Sequence, residues 1–140
     1  MSNYFQVGLA LINELEAKAD EWGVKKVGTA ADIRGINMQT TPAIYVINTG
    51  NTPNANGSLD SRDTQQWTVV IGVSHQASQR STSELMSVAG ELISQVINHV
   101  QGFEIDDYHD ALERTNTSGQ PEYFGTFALY PFTFQTKFQP

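Results

Sequence analysis

The 140-residue chain contains no cysteine. That excludes a disulfide framework, a thiolate nucleophile and a Cys-ligated zinc site. The chain is also poor in charge. Asp, Glu, Lys and Arg make up 16% of it, against roughly 25% in an average domain. Basic residues are scarcest, with 8 Lys and Arg against 15 Asp and Glu, for a net charge of -7. The one adjacent basic pair is Lys25-Lys26. Wrapping a nucleic acid requires clustered cations to neutralise phosphates, so direct nucleic-acid binding is not expected. No run approaches the ~18 apolar residues of a membrane span. No basic segment leading into an apolar stretch opens the chain, so no export signal is expected. A soluble, cytoplasmic chain is expected on these grounds. The glycosylation-type triplets at Asn56 and Asn116 then carry no meaning.

Neutral polar residues fill the place of the missing charges. A surface of Asn, Gln, Ser and Thr suits protein–protein contact, because burying an amide or hydroxyl costs less than burying an ion. The hydrophobic fraction of 39% is enough for one domain with a real core. No internal repeat and no linker composition divides the chain, so residues 1–140 are read as a single domain.

Hydrophobic periodicity outlines the elements. Asn3 and Gln6 have capping-box spacing, and Val7, Leu11 and Leu15 recur on one helical face with Trp22 extending it. Gly23 is the expected stop. Val24 to Thr29 is a short strand candidate, whereas Ala30 to Thr41 carries no clear pattern. Pro42 leads into an apolar run, Ala43 to Ile47, which reads as a buried strand. From Thr49 to Asp63 the sequence is dominated by Asn, Gly, Ser, Asp and Pro, the composition of a long loop. Alternation resumes from Gln65 to Val73, with Trp67, Val69, Ile71 and Val73 on one side.

A second capping box, Ser81 with Glu84, precedes the clearest pattern in the chain. Leu85, Val88, Ala89, Leu92, Ile93, Val96, Ile97 and Val100 form one apolar stripe, ending at Gly102. Tyr108 to Asn116 is a weaker strand candidate, and Thr117 to Pro121 reads as a turn. The chain then runs from Tyr123 to Phe138 through aromatic and β-branched residues, a strand by composition. Pro131 within it marks an edge or a bulge. Phe132, Phe134 and Phe138 offer more aromatic area than a terminal strand needs for its own sheet. The order of elements predicts an α+β fold: a mainly antiparallel sheet with two helices packed on it.

Candidate chemistry is sparse. Gly72-Val73-Ser74-His75-Gln76 approaches a nucleophile elbow, but the final glycine is missing and the next helix starts several residues later. Ser74 and His75 are better read as the polar end of a strand. Glu104, Asp106, Asp107, His109 and Asp110 form an acidic cluster, with His99 nearby. Its spacing matches neither the EF-hand nor the HExxH pattern. A solvated acidic loop accounts for it. Trp22 and Trp67 are expected in the core. No catalytic residue, metal site or cofactor site is assigned, and no enzymatic activity is expected.

Taken together, these residues resemble a known family. The opening helix ending near Gly23, the Pro42 to Val46 strand, the polar stretch to Asp63 and the Gln66 to Ile71 strand with Trp67 carry the likeness. The amphipathic helix from Ser83 to Val100 and the C-terminal pair ending in Phe127 to Tyr130 complete it. This arrangement is similar to that of the tail terminator proteins of long-tailed bacteriophages, the lambda-like minor tail proteins. The resemblance implies a subunit of a hexameric ring that caps the tail tube, stops its polymerisation and forms the surface for head attachment. It implies three partners: further copies of the chain, the tail tube protein and a head-side connector protein. DNA would pass through the lumen without specific binding, and no membrane is involved. The protein would be assembled in the host cytoplasm and reside in the virion tail. Two alternatives stay open, another head–tail joining protein and a small ligand- or metal-binding domain.

Overall fold

A computed structural model describes residues 3–35, 41–53, 62–74, 82–116, 119–124 and 127–138. Helix α1 spans Gln6–Trp22. The expected Asn3–Gln6 capping box does not form. Asn3 instead turns its side-chain oxygen to the Phe5 N–H at 2.8 Å, and the helix begins without a side-chain cap. Gly23 ends α1 in the left-handed conformation, φ 70°. Its N–H and that of Val24 close onto the Asp20 and Ala19 carbonyls, the pairing that lets a glycine satisfy a helix end.

Strand β1, Lys26–Thr29, follows and pairs parallel with β2, Ala43–Pro53. Among the described residues between them lies one 3-10 turn, Ile33–Gly35. β2 pairs antiparallel with β3, Asp63–Ser74, which pairs antiparallel with β6, Phe127–Phe138. Two short strands line the far edge of β6: β4, Glu113–Arg114, and β5, Glu122–Tyr123. The sheet order is β1-β2-β3-β6-β4, with β5 beside the other end of β6. The fold is α+β, a mostly antiparallel six-stranded sheet with two helices, as the pattern predicts.

Helix α2, Thr82–Val100, lies with α1 over one face of the sheet. The core forms there. Val7, Leu11 and Leu15 of α1 and Ala89, Leu92, Val96 and Val100 of α2 pack on Ile44, Val46, Trp67, Val69, Ile71, Val73 and Phe134. Residues alternate in register, so Trp67 faces Phe134 and Val69 faces Phe132 on adjacent strands. His99 Nε2 and Glu14 Oε1, 2.8 Å apart, tie the helices together, and Trp22 meets the His99 ring edge-on.

Several expectations change. Val88, placed by periodicity on the buried stripe, is 63% exposed. It lies at the margin of the α2 contact face, beside Glu91 in a shallow crevice with Pro42 and Trp22. The side chain of Leu85 and the cap residue Ser81 lie outside the described residues. The stretch read as a loop from Thr49 is strand as far as Pro53, and Asp63 already belongs to β3. The side chains compensate for the poor strand composition. Asn48 donates to the Gln66 carbonyl, Asn48 and Asn51 bond to each other, and Thr49 meets Thr68 at 3.0 Å. A register shift between Asn48 and Gly50 accommodates them. The remainder of that loop, residues 54–61, lies outside the described residues.

The strand expected from Tyr108 to Asn116 is reduced to Glu113–Arg114. Asp106 causes the loss by accepting the Tyr108 and His109 backbone N–H groups on one oxygen, a local turn that competes with strand pairing. Finally, Phe134 and Phe138 are not spare aromatic surface. Both are buried within the subunit.

Candidate assembly surfaces

The residues with candidate chemistry do not converge. Ser74 ends β3, and His75 lies outside the described residues. Among the described residues, no group of three or more His, Asp or Glu side chains is placed to hold a metal ion. The acidic cluster is divided by function. Asp106 and His109 form a pair, Oδ1 to Nδ1 at 2.9 Å, with the His109 ring fully buried and stacked on Phe138 at 4.4 Å. Burial works against the Asp106 charge. The bond to the His109 ring, the two backbone N–H groups and the imidazole charge outweigh it and hold the carboxyl below its ordinary value. Asp110 reaches out to Arg62 at 3.2 Å. These contacts fasten the segment after α2 to the end of β6 at Phe138 and to Arg62, just before β3, a structural task.

The helix-free face of the sheet is of two kinds. In the half near the start of β2, Ala43, Tyr45, Val70 and Leu129 form a second small core, with Ile33, Ile47 and Phe127 packed against it. An open, mostly apolar groove of about 540 Å³ lies over it, walled by Ile33 and Arg34 on one side and by Glu122 and Phe124 on the other. In the half near the β2–β3 connection, the face is neutral and polar. Thr49, Thr68 and Thr133 bond hydroxyl to hydroxyl across three strands.

Both lateral edges are open among the described residues. β1 covers only Ala43 to Val46 of β2, so the outer edge of β2 from Ile47 to Pro53 has no strand partner among the described residues. On the other side, β4 and β5 are each two residues long, exposed, and among the described residues paired only with β6. Tyr123 and Phe124 stand exposed beside this second edge. Natural monomers blunt or cover such edges. Here the bulge at Asn48/Gly50 and the terminal Pro53 blunt one edge only in part.

Sequence reading did not find the groove or these edge residues. Arg34 and Ile33 fall in the stretch without periodicity. Tyr123 and Phe124 read as part of one long terminal strand, whereas Glu122 and Tyr123 pair antiparallel with Leu129 and Ala128 of β6, and the Phe124 and Phe127 rings stack at 4.7 Å. Gly125, which lies between these two aromatic residues in the sequence, was the available signal for a break.

Among the described residues, the sheet is open at two unlike edges and covered by helices on one face. The chain belongs to the phage tail terminator protein family, which it matches over residues 1–140. It is a structural component of a phage-type virion tail. No curated protein matches it in sequence. Among solved structures it is similar to a chain of the virion of a native gene transfer agent (GTA) particle, with a TM-score of 0.60 at 9% identity. The similarity covers 96% of this chain and 94% of that one. No helix among the described residues is long and apolar enough to cross a membrane.

Proposed function

We propose that copies of this chain close the end of a phage tail tube as a ring of six, stop the tube from polymerising and present a surface to a head-side connector protein. The observation that carries this reading is the pair of unlike open edges on opposite sides of the sheet. An edge that meets a different edge on the next copy makes a heterologous contact, and such contacts close into rings when the rotation allows it. The family membership supports the same role. Chemistry is not required of such a subunit. Its task is geometric: it fixes where the tube ends and what the next component meets. The tail tip acts as the template and raises the effective concentration of subunits, so the free protein can be largely monomeric.

The test is imaging of tails assembled with and without the protein. Tails made in its absence are expected to vary in length and to have unfinished ends. Uniform tails with intact ends in its absence would remove the terminator role.

A further inference from the structure

The two open edges differ in charge as well as in shape, and the registers of the sheet place those charges in line. Ala43 of β2 lies opposite Lys26 of β1 and Gly72 of β3. Gly72 lies opposite Leu129 of β6, which lies opposite Glu122 of β5. One row of the sheet therefore begins at Lys26 on the first edge and ends at Glu122 on the second. Directly opposed residues share a face, and Ala43 and Leu129 belong to the helix-free cluster. Lys26 and Glu122 thus end the row on that face.

Arg34 reinforces the first edge. It is exposed, stands on the groove wall nearest β1 and forms no ion pair among the described residues. Asp32 is engaged locally. It accepts the Thr29 N–H at 2.8 Å and lies 3.8 Å from Lys26, and the Thr29 bond foremost holds its carboxyl below the ordinary value. The second edge carries Glu122, exposed and unpaired among the described residues, with Tyr123 and Phe124 exposed beside it. Strand direction fits as well. β5 and β4 run opposite to β6, whereas β1 and β2 run with it. Two copies side by side in the same orientation therefore meet in antiparallel sense.

We propose that, within the ring, Glu122 of one copy pairs with Arg34 of the next beside Lys26, which ends the same row, with Tyr123 and Phe124 as the apolar anchors of that contact. The inference rests on the ring reading and gives it a direction. Charge opposite charge selects edge-to-edge contact between unlike edges, because like edges repel. Aromatic residues next to that pair supply the dehydrated centre that interfaces favour.

Charge reversal tests the contact in tail completion. Glu122→Arg alone, and Lys26→Glu with Arg34→Glu, are each expected to cut the number of closed tails at least about tenfold. Combining all three reversals is expected to restore closure to within about twofold of the parent chain. Reversals that complete tails normally would overturn this contact and leave the terminator role standing. Reversals that block and are not rescued in combination would overturn it as well. A second measurement uses the absence of cysteine. Arg34→Cys protein mixed with Glu122→Cys protein on tails and oxidised should yield mainly mixed disulfide dimers. Cross-links between like variants at equal yield would overturn the proposed pairing. Tails that close without any of this protein would instead remove the function on which the inference depends.

Discussion

Gly8 faces the sheet on α1, directly against Trp67. A Cβ added there would stand 2.4 Å from Trp67 Cζ3 and 2.5 Å from Cη2. The indole cannot easily yield. Its Nε1 donates to Gln65 Oε1, and Gln65 Nε2 donates to the Tyr4 carbonyl, which fixes the entry to α1. Two effects compete in Gly8→Ala. Alanine improves helix propensity by about 1 kcal/mol, whereas overpacking a filled core costs about 1–3 kcal/mol. The rigid partner makes the second effect dominate, so a net loss of stability of up to about 2 kcal/mol is expected in denaturant melts. Unchanged or raised stability would show that the ring shifts freely. At the same scale, His109 changes meaning. Read as a loose member of an acidic cluster, it is a buried ring between Asp106 and Phe138.

At the scale of elements, α2 shows how far periodicity carries. Leu92, Val96 and Val100 are buried against the sheet, whereas Val88 on the same stripe is not. Leu92→Ala is expected to cost about 2–5 kcal/mol. Val88→Ala should change stability by no more than about 0.5 kcal/mol. Denaturant melts of both variants check this, and equal losses would place Val88 in the core.

The two helices, the four longer strands and nearly all of the helix-side core were legible, because apolar spacing reports directly on burial. The far end of β2 was not. Its residues are turn formers in isolation, and only cross-strand bonds from Asn48, Asn51 and Thr49 make them a strand. The loss of a strand before β4 has the same origin, a side chain capturing backbone donors at Asp106. The open edges were illegible for a different reason. An edge is a property of sheet order, and order depends on which strands pair, not on the composition of any one of them.

For the whole molecule, charge decides what the surface tolerates. The chain carries -7, and several of its few cations are already engaged. Lys18 meets Glu21, Lys26 meets Asp32, Arg62 meets Asp110, and Arg114 lies over the Phe132 ring at 5.5 Å. On the helix-free face, the neutral half of β3 and β6 presents Gln66, Thr68, Thr133 and Gln135. These groups offer hydrogen bonds but no charge to neutralise phosphates. Affinity for duplex DNA requires several such charges, because counterion release supplies most of non-specific binding. Each added copy would also contribute negative charge, so assembly strengthens the repulsion instead of relieving it. The protein is therefore expected to leave duplex DNA unshifted in gel mobility at about 10 μM protein and about 0.15 M salt, within the usual non-specific range. Saturable binding at low micromolar concentration, steepening as salt falls, would show a cationic surface that the fold does not display among its described residues. The outcome bears directly on the role. A subunit of the proposed ring, through which DNA would travel, must hold its neighbours and not the DNA.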